Sequence, residues 1–363
     1  MNDSLGQLFS ADDRGSQRMM ELLRNPEVTE ITANGHNAIF YVGPRGKVMI
    51  REQLFTPQGY LHWLNMLLGQ TDAGYVAVEG QNTSVIEASL LKPLRGSLHI
   101  CTSELTRGEP SLTVRKQPVD YVTLDQMVAQ RMMPPDVQTF LVEAMRGRLN
   151  MLISGGSGAG KTTLARALSA YIDPAHRVLT CEEIDELHLE ERLPNVVALT
   201  TFRRRDELGR VIREVSLEDL VREGLRMRAD RIWVGETRGK EAFALVKSCN
   251  SGHDGSLTTI HADDGAAAVK QCVTYVMEGG VAEEVARDQV ARAFHLVVQI
   301  SKVQPTERRI TEISELEPVR EGAEQRRNPL FTYDPSSDTW QRAGTPTRRL
   351  VNTLRRHGVN FGQ

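Results

Sequence analysis

The sequence predicts an α/β protein of two domains, with a mixed α/β domain at the N-terminus and a mainly parallel sheet in the C-terminal domain. The chain has 363 residues, a length that favours two domains over one. In its second half, apolar strand patterns alternate with helical patterns, as in a doubly wound sheet. There, a buried-type strand is followed by a glycine-rich loop and a helix, in the stretch GGSGAGKTT that begins at Gly155.

The N-terminal domain is predicted to span residues 1–116 and to combine short helices with alternating strands. A helical pattern surrounds Met19 to Leu23, and a second one runs from Leu61 to Leu68. The strand predictions are the segments AIFYVG, KVMI, SLHICTSEL and SLTVRKQP, the first two of which are separated by a turn at Gly43–Gly46.

A linker is predicted over residues 117–135, with a short helix capped by Thr123 and Gln126 and a stop at Pro134-Pro135. The C-terminal domain is predicted over residues 136–315 and begins with an apolar helical face. Its later strands are predicted in RVLTCEEIDEL, RIWVGETRG, SLTTIHA and HLVVQISKV. The charged, turn-rich residues 316–363 are expected to pack as a small appendage.

Composition excludes several classes of protein. The net charge is −3 and the isoelectric point is near 6.3, which gives no global reason to expect nucleic-acid binding. The four cysteines stand far apart with no C-x-x-C pair, so we expect a reducing compartment and no structural zinc. The N-terminus does not resemble a signal peptide. No apolar run approaches the roughly 18 residues of a membrane span, so none is expected.

The stretch GGSGAGKT fits the pattern G-x-x-x-x-G-K-[ST] of a phosphate-binding loop. Backbone N–H groups of such a loop point at phosphate oxygens, and the helix that follows adds its positive N-terminus. Lys161 would reach the β- and γ-phosphates of ATP, and Thr162 would ligate Mg²⁺. The alternative is a glycine-rich turn that merely precedes a helix. The predicted nucleotide-binding residues are Gly156, Ser157, Gly158, Ala159, Gly160, Lys161, Thr162 and Thr163.

Acidic residues and a histidine follow the later strands. Glu236 follows an apolar strand and would hold Mg²⁺ through a water molecule. The longer side chain of glutamate suits contact through water better than direct ligation of the metal. Glu182 would orient the attacking water, while Glu183, Asp185 and Glu186 are either support or solvated charges. His261 follows the strand SLTTI and would contact the γ-phosphate; the alternative is a histidine that only packs.

The order of four motifs resembles that of the type II/type IV secretion ATPases. GGSGAGKTT, RVLTCEEIDEL, LRMRADRIWVGETRG and SGHDGSLTTIHA are similar to the Walker A, Asp box, Walker B and His box of that family. The resemblance extends upstream to VTEITANG, SLTVRKQPVDYVTLDQMV and GRLNMLISG. Within the family, the chain looks most like the branch of CpaF-like Tad pilus ATPases and conjugative traffic ATPases. It departs from the family at Glu183, where Asp is usual, in ADRI in place of PDRI, and in LKPLRGSLHI.

The resemblance implies a homo-hexameric ring ATPase at the cytoplasmic face of the inner membrane. The C-terminal domain would be RecA-like, and nucleotide would bind between the two domains. The implied partners are inner-membrane platform or secretion-channel proteins. The family places arginines of the N-terminal domain against the γ-phosphate, which makes Arg115 the first candidate and Arg95 the second. The run Arg203–Arg205 leaves a DNA contact open, although a basic triplet is more often a solvated loop.

Two other functions remain open from the residues alone. A small-molecule kinase would share the phosphate loop, but it would need an acceptor pocket, and no lid-like arginine cluster follows the loop helix. A nucleotide-dependent scaffold with little hydrolysis is also compatible with Glu183 and the altered flank of the RIWVGE strand. Measuring ATP turnover by the assembled protein, with and without a small acceptor, distinguishes the secretion ATPase, the kinase and the scaffold.

Overall fold

The computed structural model describes residues 14–71, 77–79, 84–91, 94–117, 121–205, 211–304, 306–318 and 326–360. The chain divides into two compact units: one contains residues 1–120 and 203–214, and the other contains 121–202 and 215–363. In the described residues, no helix is long and apolar enough to span a membrane.

The first unit is an antiparallel sheet of six strands covered by helices. Its elements are α1 (Arg14–Arg24), β1 (Glu30–Asn34), β2 (Ile39–Gly43), β3 (Gly46–Met49), α2 (Pro57–Leu68), β4 (Val85–Leu90), β5 (Gly96–Cys101), α3 (Ser103–Thr106) and β6 (Ser111–Lys116). The strand order is β3-β2-β1-β6-β5-β4. The predicted strand SLHICTSEL ends at Cys101, because its last residues form α3.

The core of the first unit lies between the sheet and its helices. Met19 and Leu23 of α1 and Trp63 of α2 are almost wholly buried with the inward residues of the strands. The rings of Phe55 and Trp63 stack with their centroids 5.6 Å apart. The helical spacing of the apolar residues in α2 thus serves to cover one face of the sheet.

The second unit is built on a sheet of nine strands. Its elements are α4 (Leu124–Ala129), α5 (Pro135–Arg146), β7 (Met151–Gly155), α6 (Lys161–Ser169), β8 (Val178–Glu182), a 3₁₀ turn (Leu189–Glu191), β9 (Val196–Thr200), α7 (Leu217–Gly224), β12 (Arg231–Val234), α8 (Glu241–Asn250), β13 (Leu257–Ile260), α9 (Gly265–Met277), α10 (Glu283–Ala293), β14 (Leu296–Lys302), β15 (Arg308–Leu316), β16 (Arg327–Asp334), β17 (Thr339–Arg342) and α11 (Arg348–Arg356). Between β9 and α7, the strands β10 (Phe202–Arg205) and β11 (Val211–Val215) form a separate two-stranded sheet, and residues 203–214 belong to the first unit.

The strand order of the large sheet is β17-β16-β15-β14-β7-β13-β12-β8-β9. The run from β14 to β9 is parallel, whereas β15, β16 and β17 are added in antiparallel fashion. Parallel strands covered on both faces are apolar throughout, and β7, β8, β12 and β13 are fully buried. The predicted α/β class with a mainly parallel sheet is confirmed.

The predicted domain limits differ from the structure at both ends of the second unit. The later part of the predicted linker belongs to its core, because Met127 of the capped helix α4 is buried there. The predicted appendage 316–363 instead continues the sheet as β16 and β17, and Leu350 and Leu354 of α11 are buried in the same core. The strands of the tail are short and separated by turns, and most of its residues are polar. Its few apolar side chains that pack inward therefore do not form a clear sequence pattern.

Candidate functional site

Four of the predicted site segments meet at one edge of the large sheet because of the strand order. The phosphate loop follows β7, His261 follows β13, Glu236 follows β12 and Glu182 ends β8. These strands are neighbours in the order β7-β13-β12-β8 and run parallel, so their carboxyl ends lie side by side. Ligands of open α/β sheets bind at this edge of the sheet.

The loop has the backbone geometry of a phosphate cradle. Gly158 and Gly160 adopt positive φ values of 65° and 103°, a region that a Cβ disfavours. A Cβ on Gly155 would lie 2.3 Å from the carbonyl oxygen of Ile300, so the loop can turn there only as glycine. No side chain caps the N-terminus of α6, which leaves its amide groups directed at the loop. These features fit a bound polyphosphate.

Lys161 is buried at the base of this loop. Its ammonium donates to the carbonyl oxygens of Gly155 at 2.8 Å and Gly156 at 3.1 Å, and it lies 3.4 Å from Nδ1 of His261. A lysine ammonium only donates, so a hydrogen bond between the two side chains requires Nδ1 of His261 as the acceptor. The strand-end histidine therefore lies beside the loop lysine.

Glu236 is held from two sides. One carboxylate oxygen lies 2.6 Å from Nε2 of His261, and the other lies 2.7 Å from the guanidinium of Arg238. Arg238 also contacts Glu183 at 3.2 Å, and the bond to Glu236 raises the pKa of Arg238. The sequence analysis did not single out Arg238; its position two residues after Glu236 in GETRG was the available signal. Lys161, His261, Glu236, Arg238 and Glu183 thus form a continuous polar chain.

Glu182 occupies a different environment at the end of β8. It is 3% exposed, and it accepts hydrogen bonds from the backbone N–H groups of Glu186 and Leu187, both at 3.2 Å. Burial, and then the charge of Asp185, raises the pKa of Glu182 well above its ordinary value. A Cβ on Gly235 would lie 2.9 Å from the Glu182 side chain, so this glycine makes room for the carboxyl.

Thr162, Glu182 and Glu236 line one small cavity of about 100 Å³. A threonine hydroxyl and carboxylates are oxygen donors of the kind that Mg²⁺ prefers. The predicted metal residues Thr162 and Glu236 are therefore brought together at a site whose donors fit that ion.

Asp185 lies outside the lining of this cavity, whereas Glu186 is part of its wall. Asp185 approaches Nδ1 of the buried His188 at 3.1 Å, with Glu190 close by. Asp185 therefore supports the turn after β8. Glu186 lines the cavity and gives its backbone N–H to Glu182.

Two cations from the other side of β7 also reach the loop. Arg308 at the start of β15 donates from Nε to the carbonyl oxygen of Gly158 at 3.1 Å. A Cβ on Gly158 would lie 3.1 Å from Nζ of Lys302, at the end of β14. Neither residue is found from the sequence motifs, because only the placement of β14 beside β7, and of β15 beside β14, brings them to the loop.

Arg95 and Arg115 lie in the first unit, on adjacent strands. Arg95 has a φ of 43° and directly precedes β5, while Arg115 is exposed on β6. The register pairs Ser97 with Arg115, so both arginines are at the same end of this strand pair. A Cβ on Gly96 would lie 2.6 Å from the carbonyl oxygen of Arg115, which accounts for glycine in LRGSL. The backbone of Arg203–Arg205 forms β10, and the side chains of this run lie outside the described residues.

Comparison with known proteins agrees with this architecture. The family model described as "Type II/IV secretion system protein" matches residues 94–334. The conjugal transfer protein TrbB of Rhizobium radiobacter is 30% identical over 58% of this chain and 62% of its own length. The type IV secretion system protein VirB11 of Bartonella quintana is 35% identical over 47% of each chain. These matches span about half the length of the relatives.

Solved structures show the same fold at low sequence identity. The ATPase DotB of Legionella pneumophila has a TM-score of 0.56 and 19% identity, and the match covers 94% of this chain and 86% of that one. The pilus retraction motor PilT with bound ADP has a TM-score of 0.55 and 15% identity over 94% of this chain and 87% of its own.

Proposed function

The chain belongs to the type II/IV secretion system protein family, and we propose that it is an ATPase motor of a type IV secretion, conjugation or Tad-type pilus machine. The observation that carries the proposal is the convergence of Lys161, His261, Glu236 and Glu182 at the carboxyl edge of one parallel sheet. The proposed reaction is hydrolysis of ATP to ADP and phosphate. The matches to proteins named for secretion and conjugal transfer support the machine to which the motor belongs.

In this mechanism, the loop binds the polyphosphate and the strand ends handle the water. Lys161 would exchange its carbonyl contacts for β- and γ-oxygens, since an anion is a stronger acceptor than a carbonyl. Thr162 and Glu236 would hold Mg²⁺, which neutralises charge on the phosphates when bound. Glu182 would accept a proton from the attacking water, a role for which a raised pKa is suited. His261 would keep Glu236 oriented through Nε2.

The quaternary part of the proposal is a homo-hexamer, with Arg115 and Arg95 supplying charge to the transferred phosphate. Such arginines contribute on the order of 10³ to 10⁵ in rate in other NTPases. The grouping of the two arginines at one end of a strand pair supports a joint role. Inner-membrane platform or channel proteins would be the partners, which would place the motor peripherally at the cytoplasmic face of the inner membrane.

Lys161→Ala is the first test, because it removes the cation at the centre of the loop. We expect loss of tight ATP binding and of phosphate release, measured by nucleotide titration and a phosphate assay on the full chain. Lys270→Ala, at an exposed position of α9, is the matched control and should behave as wild type. Unchanged phosphate release by the Lys161→Ala variant would refute the assigned site.

The competing functions give different results in the same assay. A nucleotide-dependent scaffold binds ATP but releases no phosphate even when assembled. A small-molecule kinase is stimulated by a small acceptor and transfers phosphate to it. Glu182 beside the loop can take up the proton of an attacking water, as hydrolysis requires, and phosphate release without an added acceptor would separate this reaction from a kinase.

A further inference from the structure

A cavity of about 500 Å³ opens at the opposite edge of the large sheet, where its parallel strands begin. It is formed by the end of α5, the turn after α6, the start of β12 and the end of α11. Three guanidinium groups, two imidazoles and one carboxylate line it: Arg146, Arg148, Arg231, His176, His357 and Asp173. Its volume is within the range of small-molecule sites.

Arg231 forms the floor of this cavity and is only 1% exposed. Its guanidinium donates to the carbonyl oxygen of Met145 at 3.0 Å, to the sulfur of the same residue at 3.4 Å, and to Nδ1 of His176 at 3.4 Å. All three acceptors are neutral. Within the described part of the chain, Arg231 makes no ion pair with a carboxylate. Buried guanidinium groups are ordinarily paired with anions, because an unpaired buried charge is costly.

The carboxylates near Arg231 are engaged elsewhere. Asp230 accepts the backbone N–H of Arg177 at 2.7 Å. Asp254 lies 3.4 Å from Nε2 of His357, and Asp173 accepts the backbone N–H of Ala175 at 2.9 Å. The cavity therefore keeps an excess of positive charge that the surrounding protein does not neutralise by direct contact.

The titration behaviour of the lining groups agrees with this. Burial, and then the charge of Arg148, lowers the pKa of Arg231 to about 10, against the opposing effect of Asp230, Asp173 and Asp254. The pKa of His176 is lowered by burial and then by Arg231 and Arg148, and that of His357 by burial and then by Arg148. Arg148 thus disfavours the charged forms of Arg231, His176 and His357, whereas the nearby aspartates favour them. An anion placed among these cations would relieve their repulsion.

We propose that this cavity is a second anion site, which binds a phosphate-bearing small molecule or lipid headgroup between Arg146, Arg148 and Arg231. Guanidinium groups bind phosphate with paired N–H donors, which suits a ligand held from several sides. Arg146 lies at the exposed mouth, beside the ring of Tyr171, and Arg231 lies at the closed end. An apolar part of the ligand would lie against Tyr171 and Ile172.

The test uses the full chain carrying Lys161→Ala, so that the phosphate loop contributes little to the binding signal. Inorganic pyrophosphate is titrated by calorimetry, and flotation with phosphatidylglycerol vesicles is compared with flotation on phosphatidylcholine alone. Binding of pyrophosphate identifies a free phosphate ligand. Binding confined to the anionic vesicles identifies a lipid headgroup.

Two cavity variants change the charge in opposite directions. Arg146→Gln should weaken binding about tenfold, the equivalent of one charge-assisted contact of about 1.4 kcal/mol. Asp173→Asn should tighten it several-fold, because it removes the one lining carboxylate and keeps the oxygen that accepts from Ala175. Arg226→Gln, at an exposed arginine of a surface pair with Glu223, is the matched control and should have no effect.

Arg231→Gln should abolish binding. This variant is interpreted only if its circular dichroism spectrum and melting curve are those of a folded protein. If it does not fold, the Arg146→Gln and Asp173→Asn variants alone test the proposal. The proposal is overturned if neither probe binds. It is equally overturned if binding is the same in the Arg146→Gln, Asp173→Asn and Arg226→Gln variants.

Discussion

At the scale of single residues, Glu182 and Glu236 are two carboxylates placed in contrasting surroundings. Glu236 is partly exposed and is contacted by His261 and Arg238. Glu182 is buried, and this burial, with the charge of Asp185, disfavours its charged form. A partly exposed carboxylate held by a cation and a buried carboxyl whose pKa is raised are suited to different roles, one at the metal and one as a proton acceptor.

Replacing each carboxylate by its amide should therefore slow turnover while ATP binding is kept. Glu182→Gln removes the proton acceptor and should lower single-turnover hydrolysis by about 10² to 10⁴. Glu236→Gln keeps one oxygen that can contact His261 but removes the negative charge beside the Mg²⁺ ion. The proposed hexamers should therefore bind ATP, hydrolyse it slowly and remain in the ATP-bound state. Nucleotide titration beside single-turnover hydrolysis measures both. Wild-type hydrolysis by Glu182→Gln would make Glu182 a bystander and Glu186 the next candidate.

The buried Glu182 also gives a pH dependence of stability. Its pKa is raised in the folded state, so the unfolded carboxyl ionises first as pH rises above its ordinary value of 4.5. The free energy of unfolding therefore decreases as pH rises from this ordinary value to the raised pKa, by about 1.4 kcal/mol per pH unit. Glu182→Gln should abolish this loss and be more stable than wild type at pH 8 but not at pH 4.

Denaturant unfolding at the two pH values measures the effect, with the exposed Glu183→Gln as the control. An equal difference from wild type at pH 4 and at pH 8 would show that Glu182 does not titrate in this window.

At the scale of elements, the strand ends carry the parts of the site that sequence reasoning could find. The loop after β7, Glu236 after β12 and His261 after β13 each follow an apolar strand that is visible in the sequence. Lys302 and Arg308 were not found, since their contacts with the loop depend on which strands are neighbours in the sheet. Hydrophobic periodicity predicts that a strand exists but not its place in the sheet.

The C-terminal elements give a prediction of their own, because the structure makes them part of the second core. Leu354 of α11 is fully buried, and a Cβ on Gly147 would lie 2.3 Å from its side chain. Leu354→Ala should cost about 2–5 kcal/mol in the free energy of unfolding. The neighbouring exposed Arg355→Ala should stay within about 0.5 kcal/mol of wild type. Equal unfolding midpoints for the two variants would mean that α11 does not stabilise the core.

At the scale of the whole molecule, the proposed ring requires that activity depend on assembly. If Arg115 or Arg95 acts on the nucleotide of a neighbouring subunit, the catalytic charge exists only in the oligomer. Specific ATPase activity should then rise with protein concentration and reach a plateau when assembly is complete, as followed by light scattering. An Arg115→Gln variant should assemble and bind ATP yet reach a much lower plateau. Constant specific activity across the assembly range would exclude a contribution from a neighbour.

The order of the large sheet also sets the order in which the protein can form during synthesis. The strand β7 pairs with β13 and β14, at Met151 with Leu257 and Leu296. A ribosome that adds about 5–20 residues per second needs several seconds or more to reach the first of these partners. Throughout that interval, the apolar strand that carries the phosphate loop has emerged without a sheet to join. The candidate site is thus completed late in translation, and the apolar surface of β7 stays exposed until then.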